Sequence, residues 1–230
     1  MSRALQAIIF DFDGVIADSE RLHLRAYQDV LRDERISLPG EAYYERYLGY
    51  DDVGVFKALA KDFARPWTDA EIADLIARKG ARYEALAAEG EMLFPGAAAF
   101  IRAASAAVPT AIASGALSHE IHEVLERAQL SDAFLAVVGA DHTARSKPNP
   151  DPYLEAFARL QAASGRALDP ARTVAIEDSH WGLDAARAAG LRTVAVTNTY
   201  AASEIAGAAE LTVAGLDALD LGMLDRLCAS

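Results

Sequence analysis

The chain has 230 residues, of which 52% are hydrophobic, including 50 alanines, and 24% are charged, so it can form an apolar core and is not a disordered chain. Its 22 basic and 34 acidic residues give a net charge of -12, which argues against nucleic-acid binding because no basic patch overrides that field. The longest uncharged stretch, residues 103–118, is interrupted by Pro109 and Gly115 and is too short to span a bilayer, so we expect no membrane partner.

The two ends of the chain predict where the protein functions. Only residues 7–10 are continuously apolar before Asp11, which is too few for the apolar region of a secretory signal. The single cysteine, Cys228, excludes an intramolecular disulfide and a cysteine-rich zinc site. We therefore expect a cytoplasmic protein. A monomer is also expected, although oligomeric state does not follow from these features.

Six short runs rich in valine, isoleucine and phenylalanine predict the buried strands of a parallel sheet. They are residues 7–10, 110–113, 134–138, 173–176, 193–196 and 211–213. The amphipathic, alanine-rich segments between them are long enough for crossover helices. These segments are residues 96–107, 118–128, 152–163 and 182–189. The alternation predicts an α/β fold with a Rossmann-like parallel sheet.

Residues 18–90 interrupt this alternation, because they contain helical patterns but no run typical of a strand. Apolar residues recur on three helical faces. The faces are Leu22, Ala26 and Val30; Val53, Phe56, Leu59 and Ala60; and Ile72, Leu75, Ile76 and Tyr83. We therefore expect a core made of residues 1–17 and 91–230 and an inserted all-helical domain of residues 18–90.

The loops that follow the predicted strands carry polar side chains. The first strand is followed by DFDGVIADS, the second by SGALS, the fourth by EDSHWG, and the third, after several residues, by SKPNPDPY. Parallel sheets bind ligands where these loops diverge, so all four point to one site. Lys147, in SKPNPDPY, is the only lysine in residues 80–230, although by usage alone a chance surface residue is the commoner explanation.

Asp11 and Asp13 alternate with Phe12, so in an extended strand their carboxylates lie on one side. A pair of exposed turn aspartates beside a glycine explains DFDG alone equally well. Glu177 and Asp178, at another strand end, change this balance. Oxygen donors without histidine or cysteine favour a hard cation, Mg²⁺ before Ca²⁺, with a phosphate completing its ligands.

Ser114 and Lys147 suit the binding of that phosphate. Ser114 offers its hydroxyl, and Gly115 and Ala116 offer backbone amides at the expected start of a helix. Taken alone, Ser114 could equally be a helix N-cap. Lys147 would place a cation against the phosphate and reduce its repulsion from the carboxylates. Together the four segments predict phosphoryl transfer.

These segments resemble, in order, the four motifs of the haloacid dehalogenase-like hydrolase superfamily, and the similarity covers essentially the whole chain. They are DFDGV, SG, KPNPDPY and EDSHWGLDAARAAG. The resemblance implies that Asp11 is a nucleophile forming an aspartyl-phosphate and that Asp13 is the general acid and then the base. It also implies Mg²⁺ held by Asp11, the backbone carbonyl of Asp13 and Asp178, with Glu177 acting directly or through water.

The helical insertion resembles the mobile type 1 cap of this superfamily. DSERLHLRAY is most similar to the β-phosphoglucomutase-like branch, which implies that His23 and Lys79 contact the substrate or position the acid and base. His23 could instead be an ordinary polar residue of the first helix. The mutases use an arginine near LGYDD to hold a second phosphate, but here Asp51 and Asp52 would repel it. Only compensating arginines, such as Arg25, Arg46 or Arg82, would remove that repulsion.

The sequence therefore predicts a Mg²⁺-dependent phosphatase of small phosphorylated metabolites, with sugar phosphates as the favoured class. A β-phosphoglucomutase-like phosphohexose mutase would use the same residues. A noncatalytic metabolite-binding module on the same scaffold would need a defect in the catalytic set, and the sequence contains none. Trp181 is expected to pack in the protein rather than to stack on a substrate.

Overall fold

A computed structural model describes residues 3–47, 50, 52–89 and 92–229. The chain divides into a sheet unit, Met1–Asp18 with Leu93–Ser230, and a helical unit, Ser19–Met92. The expected domain boundary lies between Gly90 and Glu91, which are outside the described residues. The domain limits of 18–90 thus stay a prediction.

The helical unit contains the helices α1 (Ser19–Asp33), α2 (Gly40–Arg46), α3 (Asp52–Asp62) and α4 (Asp69–Glu89). Helices α1 and α3 both pack on α4. Their apolar faces form one buried cluster, which includes Tyr27, Leu31, Phe56, Leu59 and Leu75. The predicted faces supply five of the twelve buried residues described in this cluster, namely Val30, Phe56, Leu59, Ile72 and Leu75. Val53 is 41% exposed, and α2 was not anticipated.

In the described part of the sheet unit, six parallel strands form one sheet in the order β3-β2-β1-β4-β5-β6. They are β1 (Ala7–Phe10), β2 (Thr110–Ala113), β3 (Ala136–Val138), β4 (Thr173–Glu177), β5 (Arg192–Val196) and β6 (Leu211–Val213). The central strands are buried on both faces, as their continuous apolar runs indicate. The predicted α/β fold is confirmed.

Six helices accompany the described strands: α5 (Ala97–Ser105), α6 (Ser118–Arg127), α7 (Asp151–Ser164), α8 (His180–Ala188), α9 (Ala202–Ile205) and α10 (Leu221–Ala229). Helix α7 packs on β2 and β3 and buries Tyr153, Ala156 and Leu160 in the core. Across the described ranges, no helix is both long and apolar enough to cross a membrane.

The strand order decides which loops meet. Strand β1 lies between β2 and β4, so the residues that follow these three strands emerge side by side at the carboxyl edge of the sheet. The loop after β5 is next in line beside β4. The site predicted from the sequence lies at this edge, as expected for an open parallel sheet.

Candidate active site

Asp11 is the first residue beyond β1, and its backbone N–H donates to the carbonyl of Ile176 at 2.9 Å. Its side chain is nearly buried, with the residue 7% exposed. The chain then turns: the N–H of Ala17 donates to the carbonyl of Phe12 at 2.9 Å. Asp13 lies in this turn and is half-buried. Strand β1 ends at Phe10, as predicted, so Asp11 and Asp13 lie beyond it and the argument from an extended strand does not apply to them.

Three carboxylates meet at the edge of the sheet. Asp11, Glu177 and Asp178 are all buried, and each offers an oxygen within 4.8 Å of the oxygens of the other two. Among the described residues this cluster does not include the carboxylate of Asp13. The resemblance assigns only the backbone carbonyl of Asp13 to the metal, and that assignment stays a prediction.

Lys147 lies inside this cluster. Its Nζ donates to Oδ1 of Asp11 at 2.7 Å and to Oε1 of Glu177 at 2.6 Å, and its side chain is 13% exposed. Burial alone would lower the pKa of Lys147, but the negative charges of Asp11 and Glu177 outweigh burial and raise it. Lys147 is therefore a charged partner of the cluster, and the chance-surface explanation is wrong.

Both oxygens of Glu177 already accept hydrogen bonds from the protein. Oε1 accepts from Lys147 and from the hydroxyl of Tyr153 at 2.8 Å. Oε2 accepts from the N–H of Asp178 at 3.2 Å and from the hydroxyl of Ser179 at 3.1 Å. A fully buried carboxylate with this many donors is held rigidly. This arrangement favours a role of Glu177 in holding Lys147 over direct coordination of a metal.

The sequence reasoning assigned no role to Tyr153 or Gly182. Tyr153 is fully buried, and its ring lies 5.1 Å from Nζ of Lys147. A Cβ atom on Gly182 would overlap the carboxylate of Glu177, so only glycine fits there. Both residues belong to strings that the sequence analysis singled out, KPNPDPY and EDSHWG, which is the signal that could have identified them.

The cluster holds more negative charge than Lys147 can balance. Burial and the neighbouring charge of Glu177 raise the pKa of Asp11 well above its usual range, despite Lys147. Burial and Glu177 likewise raise the pKa of Asp178 to about 7. When all three carboxylates are ionised, one ammonium leaves two negative charges uncompensated. A divalent cation bound to these oxygen donors would balance them, and oxygen-only ligands suit Mg²⁺.

The predicted phosphate-binding groups follow β2. Ser114 is 2% exposed, and its N–H donates to the carbonyl of Val138 at 2.9 Å. Its Oγ accepts the N–H of Ala116 at 3.0 Å. The amide of Ala116 is therefore engaged within the loop. The hydroxyl proton of Ser114 and the amide of Gly115 are the donors that these contacts leave for a phosphate.

The helix after this loop begins later than expected. Leu117 is the N-cap and α6 starts at Ser118, so the alternative that Ser114 caps the helix is wrong. The two residues that follow Ser114 precede the helix rather than start it. Asp141 binds the first turn from another loop: its carboxylate accepts the N–H of Ser118 at 2.9 Å and the hydroxyl at 2.6 Å. The amide dipoles of this helix thus already face an anionic side chain.

Trp181 follows the fourth strand and does not pack as expected. It is 68% exposed at the beginning of α8. The neighbouring ring of His180 contacts the ring of Tyr200 edge to face, with a centroid distance of 5.4 Å. The packing interpretation of Trp181 is therefore wrong.

In the helical unit, His23 and Lys79 contact each other. Nζ of Lys79 lies 2.7 Å from Nδ1 of His23 and donates to Oδ1 of Asp52 at 2.7 Å. The hydroxyl of Tyr27 donates to the same oxygen at 2.5 Å, and the ring of Tyr83 stacks on that of His23 with centroids 4.3 Å apart. Lys79 is only 3% exposed, so its charge is held inside this group.

This surrounding keeps His23 neutral. Burial and the charge of Lys79 lower the pKa of His23 to about 4, although Asp52 acts in the other direction. Burial tends to raise the pKa of Asp52, but hydrogen bonds from Lys79 and Tyr27 outweigh it and lower that pKa. His23 is thus a neutral acceptor at neutral pH, beside a lysine paired with a carboxylate.

Three of the charged residues that were expected to repel or attract a second phosphate are paired within the helical unit. Asp52 is not a free repelling charge, because it pairs with the buried lysine of this unit. Arg46 and Arg82, named as possible compensating cations, each pair with an aspartate of the same unit. Arg25 is exposed, and Asp51 lies outside the described residues.

Comparisons with known proteins identify the family of this chain. The family model haloacid dehalogenase-like hydrolase matches residues 5–190. Hexitol phosphatase B of Escherichia coli (strain K12) is 32% identical over 202 residues, which cover 84% of this chain and 84% of that protein. Beta-phosphoglucomutase of Bacillus subtilis (strain 168) is 30% identical over 198 residues, which cover 84% of this chain and 83% of that protein. The crystal structure of a mutant of CbbY from Rhodobacter sphaeroides with xylulose-(1,5)bisphosphate matches with a TM-score of 0.72 at 30% identity, and covers 96% of this chain and 99% of that one.

Proposed function

Since this chain belongs to the haloacid dehalogenase-like hydrolase family, we propose that it is a Mg²⁺-dependent phosphatase of small phosphorylated metabolites, foremost sugar phosphates. The observation that carries the proposal is the buried cluster of Asp11, Glu177 and Asp178 with Lys147 among them. Such a cluster is costly to fold unless a cation and an anionic substrate complete it. Its position at the carboxyl edge of the sheet leaves it within reach of a ligand.

Asp11 is the proposed nucleophile. Its carboxylate attacks the phosphorus while the bond from phosphorus to the ester oxygen breaks, and Asp13 gives a proton to that leaving oxygen. Asp13 then takes a proton from a water molecule, which attacks the phosphorus of the aspartyl-phosphate. The bond between Asp11 and phosphorus breaks, inorganic phosphate leaves, and both residues return to their initial state.

The other residues of the site act on charge. Asp11, the backbone carbonyl of Asp13 and Asp178 are the groups that would hold Mg²⁺. When bound, the cation supplies Lewis-acid stabilisation of the negative charge on the transferred phosphoryl group. Lys147, fixed by Glu177, favours the ionised form of Asp11 and adds a positive charge beside the phosphate.

The phosphate oxygens would be bound by the loop after β2. The hydroxyl of Ser114 and the amide of Gly115 are donors in that loop, while the amide of Ala116 stabilises the loop itself through Ser114. Fixed donors of this kind stabilise charge without reorganising during the reaction. The roles of Ser114 and Gly115 are therefore part of the proposal, and Ala116 contributes indirectly.

The substrate class rests on the relatives and on the helical unit. One relative is named as a hexitol phosphatase, and the related CbbY mutant binds a sugar bisphosphate. His23 and Lys79 are proposed to contact the substrate, as the resemblance implies. A neutral His23 that accepts a hydrogen bond from Lys79 leaves its other ring nitrogen as a donor to a sugar hydroxyl.

A phosphohexose mutase is the second candidate, because one relative carries that name and His23 and Lys79 match its branch. A mutase must hold a second phosphate with cations. Here Asp52 neutralises the buried Lys79, and Arg46 and Arg82 pair with carboxylates. This distribution of charge favours the phosphatase. A noncatalytic module is not favoured, since the chain contains every charged residue that the proposed reaction needs.

The test is phosphate release from a panel of hexitol, hexose, pentose and glycolate monophosphates and xylulose bisphosphate, with Mg²⁺ and with the metal chelated. Conversion of hexose 1-phosphate to 6-phosphate is followed in parallel with a bisphosphate primer. We expect Mg²⁺-dependent release concentrated on a few sugar or polyol phosphates. Isomer conversion without release would assign the chain to the mutases, and release unaffected by chelation would exclude the metal site.

A further inference from the structure

The loop after β5, residues 197–199, contacts two motifs of the active site although it belongs to none of the four. The hydroxyl of Thr199 donates to Oδ2 of Asp178. Nδ2 of the neighbouring Asn198 donates to the backbone carbonyl of Gly14 at 2.8 Å. One loop therefore holds both the carboxylate that follows β4 and the turn that follows β1.

The packing where these groups meet leaves little freedom. Gly14 has a φ of +77°, which glycine adopts without strain, and a Cβ atom there would overlap Oδ2 of Asp178. The same Cβ would lie 2.9 Å from Oγ1 of Thr199. The hydroxyl of Thr199, the carboxylate of Asp178 and the main chain of Gly14 thus fill one small volume. A shift of any of them would displace the others.

The sheet fixes the position of this loop. The N–H of Thr197 donates to the carbonyl of Val213, in β6, at 3.1 Å. Strand β5 pairs in parallel with both β4 and β6, so the loop leaves the sheet beside the end of β4. The backbone of the sheet therefore places Thr199 beside Asp178.

We propose that Thr199 is a positioning residue, whose hydroxyl holds Oδ2 of Asp178 and orients this carboxylate toward the cation. Asn198 anchors the loop to the turn that carries Asp13. The inference rests on the proposed function, because the cation is the Mg²⁺ of the phosphatase reaction. A metal-binding carboxylate that is fixed by a hydrogen bond loses less rotational freedom when it binds the ion, and such outer partners commonly contribute to affinity.

The test measures Mg²⁺ binding directly, by titration calorimetry on the full chain without substrate. Thr199→Val has nearly the same shape but no hydroxyl, Thr199→Ser keeps the hydroxyl, and Thr197→Val is the matched control two residues away. We expect Thr199→Val to raise the Kd for Mg²⁺ about tenfold or more. Thr199→Ser should restore most of the affinity, and Thr197→Val, whose hydroxyl faces the carbonyl of Ala214, should bind like the parent chain.

Turnover provides the second readout. The Mg²⁺ concentration for half-maximal activity of Thr199→Val should rise by the same factor as its Kd, while KM for the phosphate ester at saturating Mg²⁺ stays within about twofold. A role in stability alone would lower Tm and leave the Kd unchanged. If Thr199→Val does not fold, Thr199→Ala is measured in its place.

Asp178→Asn distinguishes a failure of the role proposed for Thr199 from a failure of the proposed phosphatase function. If Asp178→Asn weakens Mg²⁺ binding but Thr199→Val and Thr199→Ala bind as tightly as the parent chain, the role of Thr199 is disproved and the phosphatase proposal stands. If Asp178→Asn also binds Mg²⁺ unchanged, the metal site is misassigned and the proposed function fails with it.

Discussion

Asp11, the proposed nucleophile, opposes the stability of the fold that holds it. Burial and the nearby Glu177 disfavour its ionised form, and the hydrogen bond from Lys147 offsets only part of this penalty. In the proposed reaction, the same burial makes each charge act strongly on a bound phosphate. A residue placed for catalysis is expected to be replaceable by a more stabilising one.

Asp11→Asn tests this directly. Without a nucleophile, phosphate release should fall by about a thousandfold or more. The pKa of Asp11 is raised in the folded chain, so its ionised form destabilises that chain above its usual pKa of 3.8. In the presence of a chelator at neutral pH, the Tm of Asp11→Asn should therefore equal or exceed that of the parent.

Asp132→Asn, at an exposed position, is the control and should change neither activity nor Tm. Full turnover by a folded Asp11→Asn would show that the nucleophile is another residue.

At the scale of elements, the helical unit is joined by one buried lysine. Lys79, on α4, contacts His23 and Tyr27 of α1 and Asp52 at the beginning of α3. Its ammonium also lies 4.8 Å from the centre of the Tyr27 ring. A buried charge is stable only with such partners, so three helices are tied together by electrostatics as well as by apolar packing.

This arrangement predicts a pH dependence of stability. The pKa of His23 is about 4 in the folded chain against its usual 6.5, so the unfolded chain takes up the proton first. The contribution of neutral His23 to the free energy of unfolding is fully present above pH 6.5 and is lost as the pH falls toward 4. Tm should therefore decrease over that interval less steeply in His23→Gln, which keeps an acceptor for Lys79 but does not titrate.

The exposed His119 supplies the matched control, because His119→Gln should keep the slope of the parent chain. Equal slopes for the parent and His23→Gln would mean that His23 is protonated equally in both states.

At the scale of the whole molecule, the two units have separate apolar cores. The cluster of the helical unit contains Leu59, and that of the sheet unit contains Leu160, both fully buried. The chain has two tryptophans, one in each unit. Trp67 packs against the core of the helical unit, with the ring of Phe56 at 6.3 Å, whereas Trp181 is 68% exposed. Each unit can therefore be followed by its own signal.

In a Trp181→Phe background, urea unfolding monitored by fluorescence reports on the helical unit through Trp67. Leu59→Ala should lower the midpoint of this transition, by the equivalent of about 2–5 kcal/mol for a buried leucine. Circular dichroism reports on both units. Leu160→Ala should lower mainly the midpoint of the transition of the sheet unit, which circular dichroism detects and the fluorescence of Trp67 does not. Identical shifts of both signals in both variants would mean that the chain unfolds as one cooperative unit.

The sequence by itself determined the sheet and the acidic half of the site. Short buried strands of a parallel sheet are almost continuously apolar, so their positions can be read from composition along the chain. Asp11, Asp178 and Lys147 could be identified because each follows a strand whose carboxyl end lies at one edge of the sheet. Residue type and position were sufficient there, and the roles of these three residues remain those of the proposed mechanism.

Only the tertiary structure decided the partners of these groups. Lys147 and Asp11 are separated by 136 positions, and periodicity reports which residues are buried but not which of them touch. The hydroxyls of Tyr153 and Thr199 reach their carboxylates through the pairing of strands and the packing of α7. The pairing of Lys79 with Asp52 likewise depends on how α3 and α4 pack. Hydrogen bonds and ion pairs require distances of a few ångströms, and folding alone brings such distant residues that close.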